Sequence, residues 1–186
     1  MTLDEIRVEI DAIDSQMKPL FIQRMECARH VAETKAKTGG DVYVPEREAV
    51  IIERRASDVD AGIHDEYVAF LKQLMSICRR YEYGILPKMQ EEVLAEALKA
   101  AGMDAGKEHQ QVKIAFCLSS SNNNLNLFIN MVNLNQVDIL SMSLETKAEN
   151  QIVHMTLKGN VGESNMRKLF CQIGKEAGNF QILELI

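Results

Sequence analysis

Two repeats divide this sequence. From Leu3 to about Lys37 the apolar residues Ile6, Ile10, Ile13, Met17, Leu20/Phe21, Ala28 and Val31 recur every three or four positions, the period of one long helix. After Gln111 the period drops to two, because Val112, Ile114, Phe116 and Leu118 alternate with other residues as they would along a strand. A chain of 186 residues that changes its repeat in this way is expected to be α+β, with an all-helical first domain and a mixed second one.

Within the helical part, Pro19 removes one backbone donor and crowds the preceding turn, which predicts a bend near residues 15 to 19. Thr38-Gly39-Gly40 ends the helix. Pro45 followed by Glu46 and Glu48 reads as a new helix start, with a proline where no N–H is needed and acids near the positive end of the dipole. That helix runs to about Ala56, and residues 57 to 63 read as a loop. Asp65 is placed to cap a third helix with the stripe Tyr67, Leu71, Leu74, Cys78 and Tyr81, closed by Gly84 and Pro87.

The first domain is thus expected over residues 1–86. An alanine-rich, acidic helical linker follows over 87–110, polar in its last part, and the second domain occupies 111–186. In that second domain a strand is followed by a helix carrying Leu125, Phe128, Ile129 and Val132, then by strands over 136–145 and 151–158. A helix with Met166, Leu169, Phe170 and Ile173 and a closing strand over 180–186 complete the order βαββαβ, the ferredoxin-like pattern.

Composition excludes several classes of partner. A formal net charge of −6 and the lack of a long basic tract argue against nucleic acid or an anionic membrane surface. Asp4, Glu5, Glu9, Asp11 and Asp14 interrupt the first twenty residues, so no secretory segment is read there. No later run is long and uncharged enough to span a bilayer, and a cytoplasmic address is expected. Cys27, Cys78, Cys117 and Cys171 are far apart, with no CxxC and no histidine at ligand spacing. Neither a disulfide framework nor a metal site is signalled, and the four thiols are expected to be buried as small apolar groups.

The informative residues are polar ones where apolar ones belong. Arg24 and Lys35 both fall on the apolar stripe of the first helix. Eleven residues apart, about three turns, they share one face with roughly 16 Å of axis between them. An anion held between them, or salt bridges to acids elsewhere, would account for both. Glu82 repeats the anomaly in the third helix, one turn beyond Cys78, either as a carboxylate on an apolar stripe or at a helix end opening to water. Arg47 and Glu48 sit at the start of the second helix, where charges are common. Arg7 points elsewhere: seventeen residues put it roughly 25 Å from Arg24 along the same helix. It is either a solvated arginine or a contribution to the site of a second subunit across a two-fold interface.

The strings LDEIRVEIDAID at residues 3 to 14, QRMECARHVAETKAK at 23 to 37 and VPERE at 44 to 48 resemble the all-helical (type II) chorismate mutase family, with a looser match at LMSICRRYE, residues 74 to 82. The resemblance covers residues 3 to 84. It implies an intertwined homodimer of three-helix chains that rearranges chorismate to prephenate without metal or cofactor. In that family the positions matching Arg7 and Arg24 bind substrate carboxylates, the first from the partner subunit. The position matching Lys35 reaches a carboxylate and the ether oxygen, that matching Glu48 accepts from the ring hydroxyl, and Arg47 matches a nearby pocket arginine. Val44 stands where many members have an acid, so a backbone contact is carried over. Cys78 falls where a small hydroxyl residue is common. Glu82 aligns with a residue, often glutamine, that donates a hydrogen bond to the ether oxygen; an ionised glutamate only accepts, so Glu82 needs its proton for this task.

Residues 111 to 186 resemble an ACT domain in element order and length. In amino-acid-binding members a glycine-containing turn follows the first strand; here residues 119–124 stand there, and Asn123 and Asn124 either offer backbone donors to an amino acid's carboxylate or belong to a plain polar turn. Leu144-Glu145-Thr146-Lys147 lies where phenylalanine-sensing relatives carry a Glu-Ser-Arg-Pro motif, of which Glu145 matches. The resemblance implies a sensor of phenylalanine or tyrosine, or else a dimerisation module. The bifunctional mutase–dehydratases place a large domain between these two parts, and residues 85 to 111 leave no room for one. Two other readings compete: an isochorismate–pyruvate lyase on a similar helical fold, and a non-catalytic ligand-sensing or assembly protein that retains a retired mutase domain.

Overall fold

The first helix, α1, spans Leu3–Thr38 without a break. Thr2 and Glu5 form a reciprocal capping box at its start, and Gly39, at φ 76°, closes it in the left-handed conformation that an L side chain resists. The computed structural model, which describes residues 1–119, 125–147 and 150–186, continues the helix through Pro19 without ending it.

Two helices follow, α2 over Pro45–Ala56 and α3 over His64–Gly84. The start of α3 corrects an expectation. Ile63, not Asp65, is the N-cap, and Asp65 lies in the first turn beside His64, where its charge faces the positive end of the helix. The buried stripe of α3 is Leu71, Met75, Cys78, Arg79, Glu82 and Tyr83, rotated from the expected one, with Tyr81 only half-buried.

The second domain has a four-stranded antiparallel sheet in the order β2-β3-β1-β4, built from β1 Gln111–Ser119, β2 Asp138–Lys147, β3 Asn150–Lys158 and β4 Gly178–Leu185. Helices α5 Leu125–Leu134 and α6 Ser164–Glu176 complete the βαββαβ order. Val112, Ile114, Phe116, Val153, Met155 and Leu157 face Phe128, Met131, Leu169 and Phe170 in one core. Burial of such side chains is worth about 1.5–3 kcal/mol each against an extended chain, an upper bound.

The segment expected as a linker is a structural helix, α4, Pro87–Ala101. Leu94, Ala97 and Leu98 enter the sheet-side core, while Val93 joins Ala32, Val42, Tyr83, Leu86 and Cys171 in a second cluster that ties α1 and α3 to α6. Gly174 permits this approach: a Cβ there would lie 2.7 Å from Val93 Cγ1 and 3.2 Å from the Phe180 ring. The two domains therefore share packed side chains. Among the thiols, Cys78 and Cys171 are buried as expected, but Cys27 is exposed on α1 and Cys117 is half-buried.

The apolar stripe of α1 is also unlike a core stripe. Only Ala28 and Ala32 are buried in it, and Leu3, Ile6, Ile10, Ile13, Met17, Leu20 and Phe21 are exposed along the helix's first five turns. The turns nearest Thr38 pack on α3; the earlier ones present a bare apolar face.

Candidate active site

The C-terminal half of α1 lies against α3, and their polar residues meet. Arg24 Nη1 donates to Cys78 Sγ at 2.9 Å. Burial pushes the Cys78 thiol above its ordinary value, against the pull of Arg24, so the sulfur stays a neutral, weak acceptor. Three turns along, Lys35 Nζ donates to the Val42 carbonyl at 3.1 Å and stands 3.9 Å from Glu82 Oε2. Arg24, Lys35, Cys78 and Glu82 thus share one seam, as their helical spacing requires once α1 and α3 are side by side.

Glu82 is the unusual member. Its Oε2 is buried and has no hydrogen-bond partner among the described residues. Burial raises its pKa above the ordinary 4.5, and Lys35, Arg79 and Arg24 pull the other way without cancelling it. A carboxyl held in this way keeps its proton to higher pH than a solvated one and can then donate it in a hydrogen bond.

At the start of α2, Val44 is the N-cap, and its carbonyl accepts the first helical bond from Glu48 N at 3.1 Å. Glu48 turns inward and both its carboxylate oxygens take bonds from Arg79 Nη1. Arg47 is exposed. Arg7 is exposed near the start of α1, paired among the described residues with Asp4 at 3.0 Å, and is not brought to the Arg24–Lys35 seam. In the second domain Glu145 is exposed on β2 beside Lys147 at 3.1 Å. Asn123 and Asn124 lie outside the described residues.

Arg79, Tyr43 and Glu176 are parts of this region that the sequence reading passed over. The Arg79 guanidinium lies over the Tyr43 ring at 4.6 Å and is held on its other edge by Glu176 of α6. A signal was available for two of them: Arg79 falls on the buried stripe of α3, and Glu176 lies three residues beyond the buried Ile173 on α6. Both break an apolar stripe, as Arg24 and Lys35 do in α1.

Residues 6–83 match the family model of type II chorismate mutase. Arg7, Arg24, Lys35, Val44, Arg47, Glu48, Cys78 and Glu82 all lie within the matched span. A bifunctional chorismate mutase/prephenate dehydratase from Aquifex aeolicus is 33% identical over 88 residues, 45% of this chain and 24% of that protein. A T-protein from Enterobacter agglomerans is 36% identical over 59 residues, 32% of this chain and 16% of its own. The chorismate mutase/prephenate dehydratase of Pseudomonas aeruginosa is 33% identical over 86 residues, 43% of this chain and 24% of that one. The chain thus covers about a quarter or less of each of these relatives, and the mutase match ends before α4. No solved structure matches the chain. Among the described residues, no helix is long and apolar enough to cross a membrane.

Proposed function

We propose that this protein is a chorismate mutase, rearranging chorismate to prephenate at the α1–α3 seam of a homodimer. The observation that carries this reading is the meeting of Arg24, Lys35, Cys78 and Glu82 on two helices of the span that matches the mutase family. The reaction is unimolecular: the ether C–O bond breaks as a C–C bond forms. The protein's task is to hold the compact conformer and to meet the charge that develops on the ether oxygen.

Arg24, with Arg7 of the partner subunit, would hold the two substrate carboxylates. Lys35 has three N–H donors, of which Val42 takes one, leaving others for a carboxylate and the ether oxygen. Protonated Glu82 would donate to the same ether oxygen from the opposite side. Glu48 would accept from the ring hydroxyl, with Arg47 and the Val44 backbone at the rim and Cys78 steadying Arg24. The second domain we read as ACT-like, on its βαββαβ order and sheet topology.

The dimer in this proposal is supported by the bare face of α1. A helix with eight large apolar side chains exposed between Leu3 and Phe21 needs a second surface, and a groove of about 530 Å³ lined by Met17, Leu20, Phe21, Arg24, Phe70 and Leu74 lies beside it. The same assembly would bring Arg7 to the other chain's seam. The purified protein given chorismate and, separately, isochorismate is expected to form prephenate and to release no pyruvate. Pyruvate from isochorismate with chorismate untouched would replace this reading with the lyase.

Glu82 should make turnover depend on pH. Its folded value is raised, so the proton it needs is present at low pH and is lost as pH rises through that value, taking kcat down with it. The same shift has a stability consequence of the same sign: the group's contribution is full below 4.5 and declines as pH rises through the folded value. Glu82→Gln, whose amide donates at any pH, is expected to retain kcat to higher pH than the unmodified protein. Superimposable pH profiles for the two proteins would remove Glu82 from the ether contact.

A further inference from the structure

We propose that Glu176, the last residue of α6 in the second domain, is a positioning residue for the mutase site, acting through Arg79 on Glu48. The proposal rests on the mutase reading above and extends it to a residue far outside the span that matches the family.

The geometry is that of a two-sided clamp. Glu176 Oε1 and Oε2 accept from Arg79 Nε and Nη2, each at 2.8 Å, while Arg79 Nη1 donates to Glu48. The Arg79 and Glu176 side chains are 6% and 3% exposed, against 23% for Glu48. A guanidinium is planar, so fixing one edge by two parallel bonds fixes the direction of the other edge, the one that meets Glu48. Glu176 is itself held: Gln172 Nε2 donates to Glu176 Oε1 at 3.0 Å and to the Ser76 carbonyl of α3 at 3.2 Å. The Tyr43 ring closes the guanidinium's face.

Electrostatics gives the arrangement a use. Burial opposes the charge on Arg79, yet its bonds to Glu176 and the charges of Glu176 and Glu48 keep it protonated at all ordinary pH. Burial raises the Glu176 pKa against the pull of Arg79; with Glu176 ionised, two carboxylates share this one cation, so Glu48 is oriented without being fully neutralised. It keeps lone pairs free to accept a hydroxyl from a ligand. With Glu176 uncharged, Arg79 belongs to Glu48 alone, and the hydroxyl acceptor is turned and quenched. The second domain thereby sets how strongly a residue on α2 holds the substrate, and the Val93–Gly174 contact sets where Glu176 stands.

The test is steady-state kinetics on the full chain with chorismate. Glu176→Gln is expected to raise KM roughly tenfold or more, the scale of a hydrogen bond to a charged group. Its kcat should stay within about threefold, because that bond is made in ground and transition states alike. In a Glu48→Gln background the same change should add nothing to KM, an outcome that a merely structural role for Glu176 would not produce. Should Glu176→Gln fail to fold, Glu176→Asp keeps the charge with a shorter reach and is expected to show a smaller rise in KM at retained kcat. An unmoved KM in whichever variant folds, or additive effects in the double variant, overturns the proposal while the mutase reading stands. No turnover of chorismate by the unmodified protein removes the mutase reading, and this proposal with it.

Discussion

Replacing Lys35 by alanine is expected to lower kcat for chorismate by about 10²- to 10³-fold, the cost of losing one preplaced donor at a developing oxyanion, while the chain remains a folded dimer. The side chain's position explains both halves. Lys35 sits in the last turn of α1, half-buried, with its ammonium between the Val42 carbonyl and Glu82. No apolar core residue is lost, so the cost to folding is small. What is lost is the donor 3.9 Å from Glu82, the carboxyl proposed to serve the ether oxygen as well. A second effect follows from the charge: Lys35 pulls the pKa of Glu82 down, so without it Glu82 stays protonated to still higher pH. The residual activity of Lys35→Ala should therefore decline at a higher pH than that of the unmodified protein. Rates of prephenate formation across pH, with the mass of the assembly from sedimentation, check both points. Near-normal turnover in a dimeric Lys35→Ala protein would sink the mechanism.

Placing a charge on the bare face of α1 is expected to be as damaging by another route. Ile13 is 55% exposed in the single chain, midway along the stripe from Leu3 to Phe21. If that stripe is the dimer seam, Ile13→Asp forces a carboxylate into a contact that excludes water, a cost of several kcal/mol per site. The interface would carry two such sites by symmetry. The expected result is a monomer at micromolar concentration with chorismate turnover reduced at least a hundredfold, because Arg7 of the partner no longer reaches the Arg24–Lys35 seam. Light scattering and the prephenate assay on one sample decide it. A dimeric, fully active Ile13→Asp protein would show that the seam lies elsewhere.

Much of this was readable from local pattern, and the exceptions share a cause. Helical period placed α1, α2 and α3 within a few residues, and alternation placed the strands, because both repeats report which side of an element is apolar. They do not report what covers it. The α1 stripe reads as core, yet within one chain only Ala28 and Ala32 are covered. Residues 87–101 read as a linker because alanines and acids dominate, although Val93, Leu94, Ala97 and Leu98 form a face that packs on α6 and β4. Asp65 was a reasonable cap in isolation, but the chain enters α3 two residues earlier.

The candidate site divides in the same way. Arg24, Lys35 and Glu82 were visible because each breaks an apolar stripe, and the fold brings them together. Arg79 and Glu176 break stripes too, but their bond spans 97 residues and two domains, and no periodicity records a partner at that distance. Arg7 was excluded from its own chain's seam by helix length alone, and its exposed place near the start of α1 agrees with that.

The central claim is that each active site is assembled from two chains, Lys35 of one and Arg7 of the other, and subunit mixing tests it most directly. Arg7→Ala and Lys35→Ala proteins, each nearly inactive alone, would be unfolded together and refolded as a mixture. Random pairing makes half the dimers mixed, each with one site that carries both native residues, so about a quarter of the unmodified activity should return. Activity no higher than the sum of the two separate variants would contradict a shared site.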